Sequence, residues 1–233
     1  MNRESVPQQL PLDLGASPAY SRDDLVVTEA NIAAASMIDR WPDWPAPVVV
    51  LVGPPGSGKS HLSAIWRETT HASQIDAASI ETRLAQVREA GPWLVDDADA
   101  PDLDQTGLFH LINLARQHGS HILLTARRFP ASWEVSLPDL MSRLKAASVI
   151  ELREPDDALL AGVIAKLFAD RQIEVEPHVV SYIVRRIERS LAAAIDVVDR
   201  LDYAALSSRS RITRALAAQV ITSVDEGQGE LPL

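Results

Sequence analysis

The sequence predicts an α/β protein in which a five-stranded parallel sheet flanked by helices is followed by a small all-helical domain. Three observations carry this. Short β-branched runs alternate with amphipathic helical patterns. A glycine-rich pattern, GPPGSGKS at residues 53–60, lies directly between the first such run and a helix. After Pro155 the strand patterns stop and only helical ones remain.

Taken in order, Pro7, Pro11 and Pro18 keep the first two dozen residues from being helical, so they read as an extended arm. A helical pattern then spans TEANIAAASMIDRW, residues 28–41, and PDWPAP breaks it. PVVVLV (47–52) is the kind of run buried on both faces of a parallel sheet. GPWLVD (91–96), HILLT (121–125) and SVIEL (148–152) repeat it, with a weaker run at QIDA (74–77). Between them KSHLSAIWRET, SIETRLAQVREA, TGLFHLINLARQH and LPDLMSRLKAA read as crossover helices. Beyond ELREP, helices are expected near 156–170, 177–188, 190–207 and 213–223. The organisation is therefore an arm at 1–24, a sheet domain at 25–154, a helical domain at 155–224 and a tail at 225–233.

With 233 residues, 46% of them hydrophobic, the chain can bury a substantial core. The absence of cysteine excludes a disulfide scaffold and thiolate metal sites. No stretch is long and apolar enough to span a bilayer, and Glu4 and Asp13 stand where a signal peptide is basic or apolar. A cytoplasmic location without membrane contact is the expectation. A formal charge of −10 argues against a broad nucleic-acid surface. The six histidines show no ligand spacing for a further metal.

GPPGSGKS matches G-x-x-x-x-G-K-[ST] in its proper strand-to-helix context. Its glycines let successive N–H groups face a phosphate chain, and the following helix offers its positive end to the same anion. Lys59 is expected at the β- and γ-phosphates and the Ser60 hydroxyl on Mg²⁺. In WLVDDAD, Asp96 ends an apolar strand and is the expected second Mg²⁺ ligand, while Asp97 is placed to orient a water. The alternative for Asp97 is membership of a solvated acidic turn, which is the reading taken for Asp99, Asp102 and Asp104.

GPPGSGKSHL, WLVDD, LLTARRFP, LPDLMSRL and ERSLAAAIDVVDRLD, in this order, resemble the AAA+ module of the DnaA family. The short length, the arm and WPDWPAP are similar to its shorter Hda-type regulators of replication initiation. The resemblance implies a P-loop AAA+ fold with a helical lid and bound ADP or ATP with Mg²⁺. It assigns nucleotide contacts to Gly53, Pro54, Pro55, Gly56, Ser57, Gly58, Lys59, Ser60 and His61. Thr125 becomes a sensor I polar group, Arg189 a sensor II arginine, and Asn31 the start of the helix before the adenine pocket. It makes Arg143 an arginine finger offered to a neighbour's nucleotide, which implies DnaA as a partner and allows homo-oligomers. Arg127 stands where the family commonly has an acidic residue, which argues against vigorous hydrolysis by the chain itself. Only VDEGQGELPL follows the last helix, so no helix-turn-helix for sequence-specific DNA binding is expected.

QLPLDL, residues 9–14, places Leu10, Leu12 and Leu14 on one side of an extended chain, with Gln9 able to make paired hydrogen bonds. It resembles the motif through which replication proteins dock on the polymerase III β sliding clamp. The competing reading packs these leucines on the chain's own core. Two function classes stay open: a regulatory adaptor acting on DnaA, and an AAA+ ATPase such as a helicase or clamp loader.

Overall fold

The computed structural model describes residues 21–86 and 91–227, with side chains to 222. Gln9, Leu10, Leu12 and Leu14 lie outside the described residues.

Five parallel strands, β1 (Val48–Val52), β2 (Ser73–Ile75), β3 (Trp93–Val95), β4 (Ile122–Ala126) and β5 (Ser148–Glu151), form one sheet in the order β2-β3-β4-β1-β5. β1 is flanked by β4 and β5, and all five of its residues are buried. A strand covered on both faces needs no polar alternation, which is why VVVLV is continuous. Its side chains still divide with the period of two. Val48, Val50 and Val52 join one apolar layer with Leu108, Leu111 and Ile112, whereas Val49 and Leu51 join the other with Leu62, Ile65 and Trp66.

The second layer is made by α1 (Ile32–Asp39) and α2 (Lys59–Thr70), the first by α3 (Ile80–Leu84), α4 (Gln105–His118) and α5 (Pro138–Lys145). α3 is one short turn of the helix expected over 79–90, whose last four residues are not described. Trp44, from the proline-rich break, stacks on Trp66 at 5.2 Å between ring centres and donates its Nε1–H to the Met37 carbonyl. The break is thereby fixed against α1 and α2 just before β1 begins.

α6 (Asp157–Asp170), α7 (Pro177–Val184), α8 (Leu191–Ser208) and α9 (Arg214–Gly227) enclose a separate core around Leu160, Ile164, Phe168, Val198 and Leu201. Asp156 and Ser190 accept N-cap hydrogen bonds at the starts of α6 and α8. α7 ends at Val184, short of the expected residue 188, because the chain turns there towards the Ser190 cap.

The helical domain is tied back to the sheet domain in two places. Near the arm, Lys166 of α6 pairs with Asp24 at 2.7 Å, and a Cβ on Gly162 would meet Val26 Cγ1 at 2.8 Å. At the other, the start of α8 rests on the glycine-rich loop: Leu191 N–H donates to the Gly56 carbonyl at 2.8 Å.

Candidate functional site

The loop after β1 closes on itself because its glycines cannot carry side chains. Gly56 and Gly58 have φ of 72° and 102°, in the left-handed region where a Cβ is unfavourable. A Cβ on Gly53 would meet the Leu152 carbonyl oxygen at 2.3 Å, and one on Gly56 would meet Ser190 Cβ at 2.4 Å. The first glycine thus lets the loop pass under the end of β5, and the second lets the lid approach.

α2 begins at Lys59, so the N–H groups of Gly58, Lys59 and Ser60 have no partner within the helix and donate to no other backbone carbonyl. Such a cluster at the positive end of a helix is an anion cradle. The Lys59 ammonium, 8% exposed in its residue, folds back onto the Gly53 and Pro54 carbonyls at 2.6 and 2.8 Å. Burial lowers its pKa, and Asp97 and Asp96 oppose that shift. The Ser57 hydroxyl is buried without a hydrogen-bond partner. A lysine resting on weak acceptors and an unsatisfied buried hydroxyl fit a phosphate chain, which supplies both with oxygen acceptors.

β3 and β4 deliver the remaining groups at the same edge. Thr125, fully buried and paired with Leu51 of β1, donates its hydroxyl to Asp96 and accepts from the Asp97 N–H at 3.0 Å. One threonine therefore orients the Asp96 carboxylate and fixes the backbone at Asp97. Asp97 has φ 47°, a left-handed conformation that aspartate tolerates better than most residues, and its Oδ1 lies 3.9 Å from Arg127 Nε. Arg127 also acts on Lys59, lowering its pKa electrostatically. Asp96, Thr125, Asp97 and Arg127 thus surround the phosphate-loop lysine. With Ser60 and Asp96 as hard oxygen donors, the donor set suits Mg²⁺.

The acidic turn differs from the expectation. Asp99 is not solvated: it is 8% exposed and accepts from the Arg127 and Arg128 N–H groups, each at 3.1 Å, and from Arg128 Nε at 3.4 Å. Asp104 caps α4 through Gly107 N–H and also accepts from Glu81 N–H at 2.7 Å. Only Asp102 remains a plain surface residue. Reading the run by charge alone missed both roles; the spacing Asp104-x-x-Gly107 before an apolar helix was the available signal.

Arg189 pairs with Asp157 at 2.8 Å and reaches the Pro155 carbonyl at 3.5 Å, at the rim of a cavity of about 550 Å³ lined by Pro54, Leu152 and Glu154 among others. Asn31 is buried and both ends of its amide are engaged, accepting from Thr28 N–H and donating to the Val26 carbonyl, each at 2.8 Å. It shapes the loop at 26–28 rather than presenting a free amide. His61 follows Ser60 on α2, and burial lowers its pKa. The guanidinium of Arg143, on α5 and half-buried, forms no hydrogen bond or ion pair with any described residue.

Residues 163–221 match the Hda lid domain. The fold superposes on domain III of the replication initiation protein DnaA from Thermotoga maritima with a TM-score of 0.75 at 17% identity, covering 89% of this chain and 97% of that one. The fold is that of DnaA domain III, and its lid segment matches the Hda lid domain. AMPPCP-bound DnaA from Aquifex aeolicus shares it, with a TM-score of 0.66 at 17% identity over 80% of this chain and 65% of that one. By sequence, an uncharacterized protein of Haemophilus influenzae is 23% identical, covering 92% of this chain and 98% of its own. The chromosomal replication initiator DnaA of Cutibacterium acnes is also 23% identical over 93% of this chain, which spans about half (49%) of that protein.

Proposed function

We propose that the chain is a DnaA-related regulator of replication initiation that binds an adenine nucleotide with Mg²⁺ and stimulates hydrolysis of the ATP held by DnaA. The observation that carries this reading is an Hda-type lid seated directly on an intact phosphate-loop cradle. Lys59 and the N–H groups of Gly58, Lys59 and Ser60 bind the phosphates, and Ser60 and Asp96 hold the metal. Arg189 leaves Asp157 to reach the phosphates from the lid. A DnaA structure of the same fold was solved with AMPPCP, which supports an adenine ligand. Arg143 serves the neighbour's nucleotide: its guanidinium has no partner among the described residues to compete for it. The segment at 9–14 docks the protein on the sliding clamp.

Arg143→Ala separates these roles. It is expected to abolish stimulation of DnaA-bound ATP hydrolysis, a loss of about 10³ to 10⁵ in rate if it is a full arginine finger. Nucleotide binding by calorimetry and clamp capture on beads should stay at wild-type levels. Wild-type stimulation by the variant would return Arg143 to the status of a surface residue.

A second reading, a self-cycling ATPase, draws on Asp97 beside Lys59 and on likeness to the Thermotoga maritima RuvB Holliday junction branch migration motor, with a TM-score of 0.70 at 17% identity. Steady-state turnover by the isolated protein of about 1 per second or more would select it over the regulator.

A further inference from the structure

The lid contains eight arginines. Three of them meet an aspartate: Arg171 with Asp199, Arg189 with Asp157, and Arg200 with Asp196. The other five, Arg185, Arg186, Arg209, Arg211 and Arg214, are exposed, and none makes an ion pair with a described residue. They are also the five that fall together. Residues 177–187 and 203–224 contain no aspartate or glutamate, and these two stretches meet where α7 packs on α9. Tyr182 marks the junction: Arg186 lies 3.8 Å and Arg214 4.9 Å from its ring centre. Arg185 adjoins the first of these, and Arg209 and Arg211 lie on the short connection leading to the second. A chain of net charge −10 thus carries at the end of its lid a cationic surface whose arginines have no acidic partner among the described residues.

Two of the five positions disfavour arginine on local grounds. Arg209 closes α8 at φ 50°, where glycine is the easier residue. Arg214 opens α9 with no acidic residue in the first turn, so its charge opposes the helix dipole. Fold stability does not account for these choices; an external anion does. Exposed hydroxyls of Ser207, Ser208, Ser210 and Thr213 are interspersed with the arginines. Guanidinium and hydroxyl donors together are the inventory of phosphate contacts on nucleic acid. The cores of protein–protein interfaces are instead depleted in charge. Stacking on Tyr182 holds two guanidinium groups in place before any ligand arrives.

We propose that this lid surface binds the phosphate backbone of duplex DNA without reading sequence. It revises the expectation from net charge, which averages over the molecule and conceals a local excess. The surface is built from the lid alone and does not depend on the reading of the nucleotide site.

The test is fluorescence anisotropy of the full chain with a labelled duplex of arbitrary sequence, between 50 and 200 mM salt. Binding should be weak, with a dissociation constant of about 10⁻⁴ to 10⁻⁶ M near physiological salt, and log affinity should fall against log salt with a slope of about −4 to −5 if all five arginines meet phosphates. Arg209→Glu with Arg211→Glu should make the slope shallower by about 2 and weaken binding at least tenfold. The charge-matched pair Arg40→Glu with Arg116→Glu, on the sheet domain, should retain the wild-type slope. Arg209→Lys with Arg211→Lys should rescue most of the affinity, and equal melting temperatures would show that all variants fold. No binding at 50 mM salt, or equal slopes for the two charge-reversed pairs, would overturn the proposal. Polyglutamate binding as tightly as DNA would overturn it too and give the surface to an acidic protein.

Discussion

In the loop at 53–60 the groups offered to an anion are backbone N–H groups, one lysine and the Ser57 and Ser60 hydroxyls, and at Gly53 and Gly56 the packing depends on the missing Cβ. In the turn at 96–104, directly across from it, the working groups are carboxylates: three of the five, Asp96, Asp99 and Asp104, accept hydrogen bonds from named donors, and Asp97 has a looser ion pair with Arg127 at 3.9 Å. The loop is specified by what its residues lack. At Asp96 and Asp99 the turn is specified by partners 28 or 29 residues away, on β4 and the segment after it, and at Asp104 by Gly107 and Glu81. The first region therefore tolerates few substitutions at its glycines but asks little of the rest of the fold, whereas the second works only once β3 and β4 are in register.

Lys59→Ala tests the loop and carries the largest expected effect. Nucleotide affinity by calorimetry should fall at least about 100-fold, because the variant removes the loop's own ammonium from the phosphates. Melting without nucleotide should not fall, since the buried ammonium has only two carbonyls as partners. The sign with pH follows from its lowered pKa. The unfolded chain holds that proton more tightly, so wild-type stability without nucleotide gains as pH rises through the alkaline range between the folded and unfolded values. Lys59→Ala should lose that gain. A variant that kept nucleotide affinity would remove the distinction between the two regions.

Asp99→Ala tests the turn by the opposite readout. Three donors lose their acceptor, two of them backbone N–H groups beside a buried carboxylate. The expected cost is about 2–3 kcal/mol, or a melting temperature lower by about 5–10 °C in a protein of this size. Nucleotide affinity should change far less than in Lys59→Ala, because Asp99 holds the loop after β4 and does not face the phosphates. An unchanged melting temperature would return Asp99 to the solvated acidic turn.

The contrast also explains what could be read from sequence. β1, β3 and β4 were legible because burial on both faces leaves continuous apolar runs, whereas the edge strand β2, with Ser73 and Gln74 exposed, gave only a weak run displaced by a residue or two; the phosphate loop was legible because its glycines serve a local geometry. Asp99 and Asp104 were not, since charge reports only a preference for water, and an acceptor's partners are long-range. Asn31 shows the same limit: its position was evident, but not that Val26 and Thr28 take both ends of its amide. The lid arginines were hidden for another reason, because net charge is a sum and their surface is a place.

Arg127→Ala examines the one side chain that links the two regions. In the wild type its guanidinium lies 3.9 Å from Asp97 and depresses the Lys59 pKa. If the chain hydrolyses ATP through Asp97, removing Arg127 should free Asp97 to orient a water and raise that turnover several-fold, with nucleotide affinity nearly unchanged. Adding Asp97→Asn should cancel the gain, because both changes act through one carboxylate. A rise that survives in the double variant would mean that Arg127 acts elsewhere.

The smallest effect is expected at the lid, where Arg189 pairs with Asp157 and, on the proposed reading, must leave it to reach the phosphates. Both side chains are more than half exposed, so the pair is worth at most about 1 kcal/mol and is screened by salt. Asp157→Asn should therefore tighten nucleotide binding only about two- to fivefold at low salt, and the gain should shrink as salt rises. Arg189→Ala should weaken binding instead, and in that background Asp157→Asn should do nothing, since the competition it relieves no longer exists. The alternative is that Asp157 matters only as an acidic residue in the first turn of α6, where it favours the helix dipole. In that case Asp157→Asn would lower the melting temperature slightly in both backgrounds and leave nucleotide affinity where it was, and Arg189 would have to reach the phosphates, if at all, without giving up a partner.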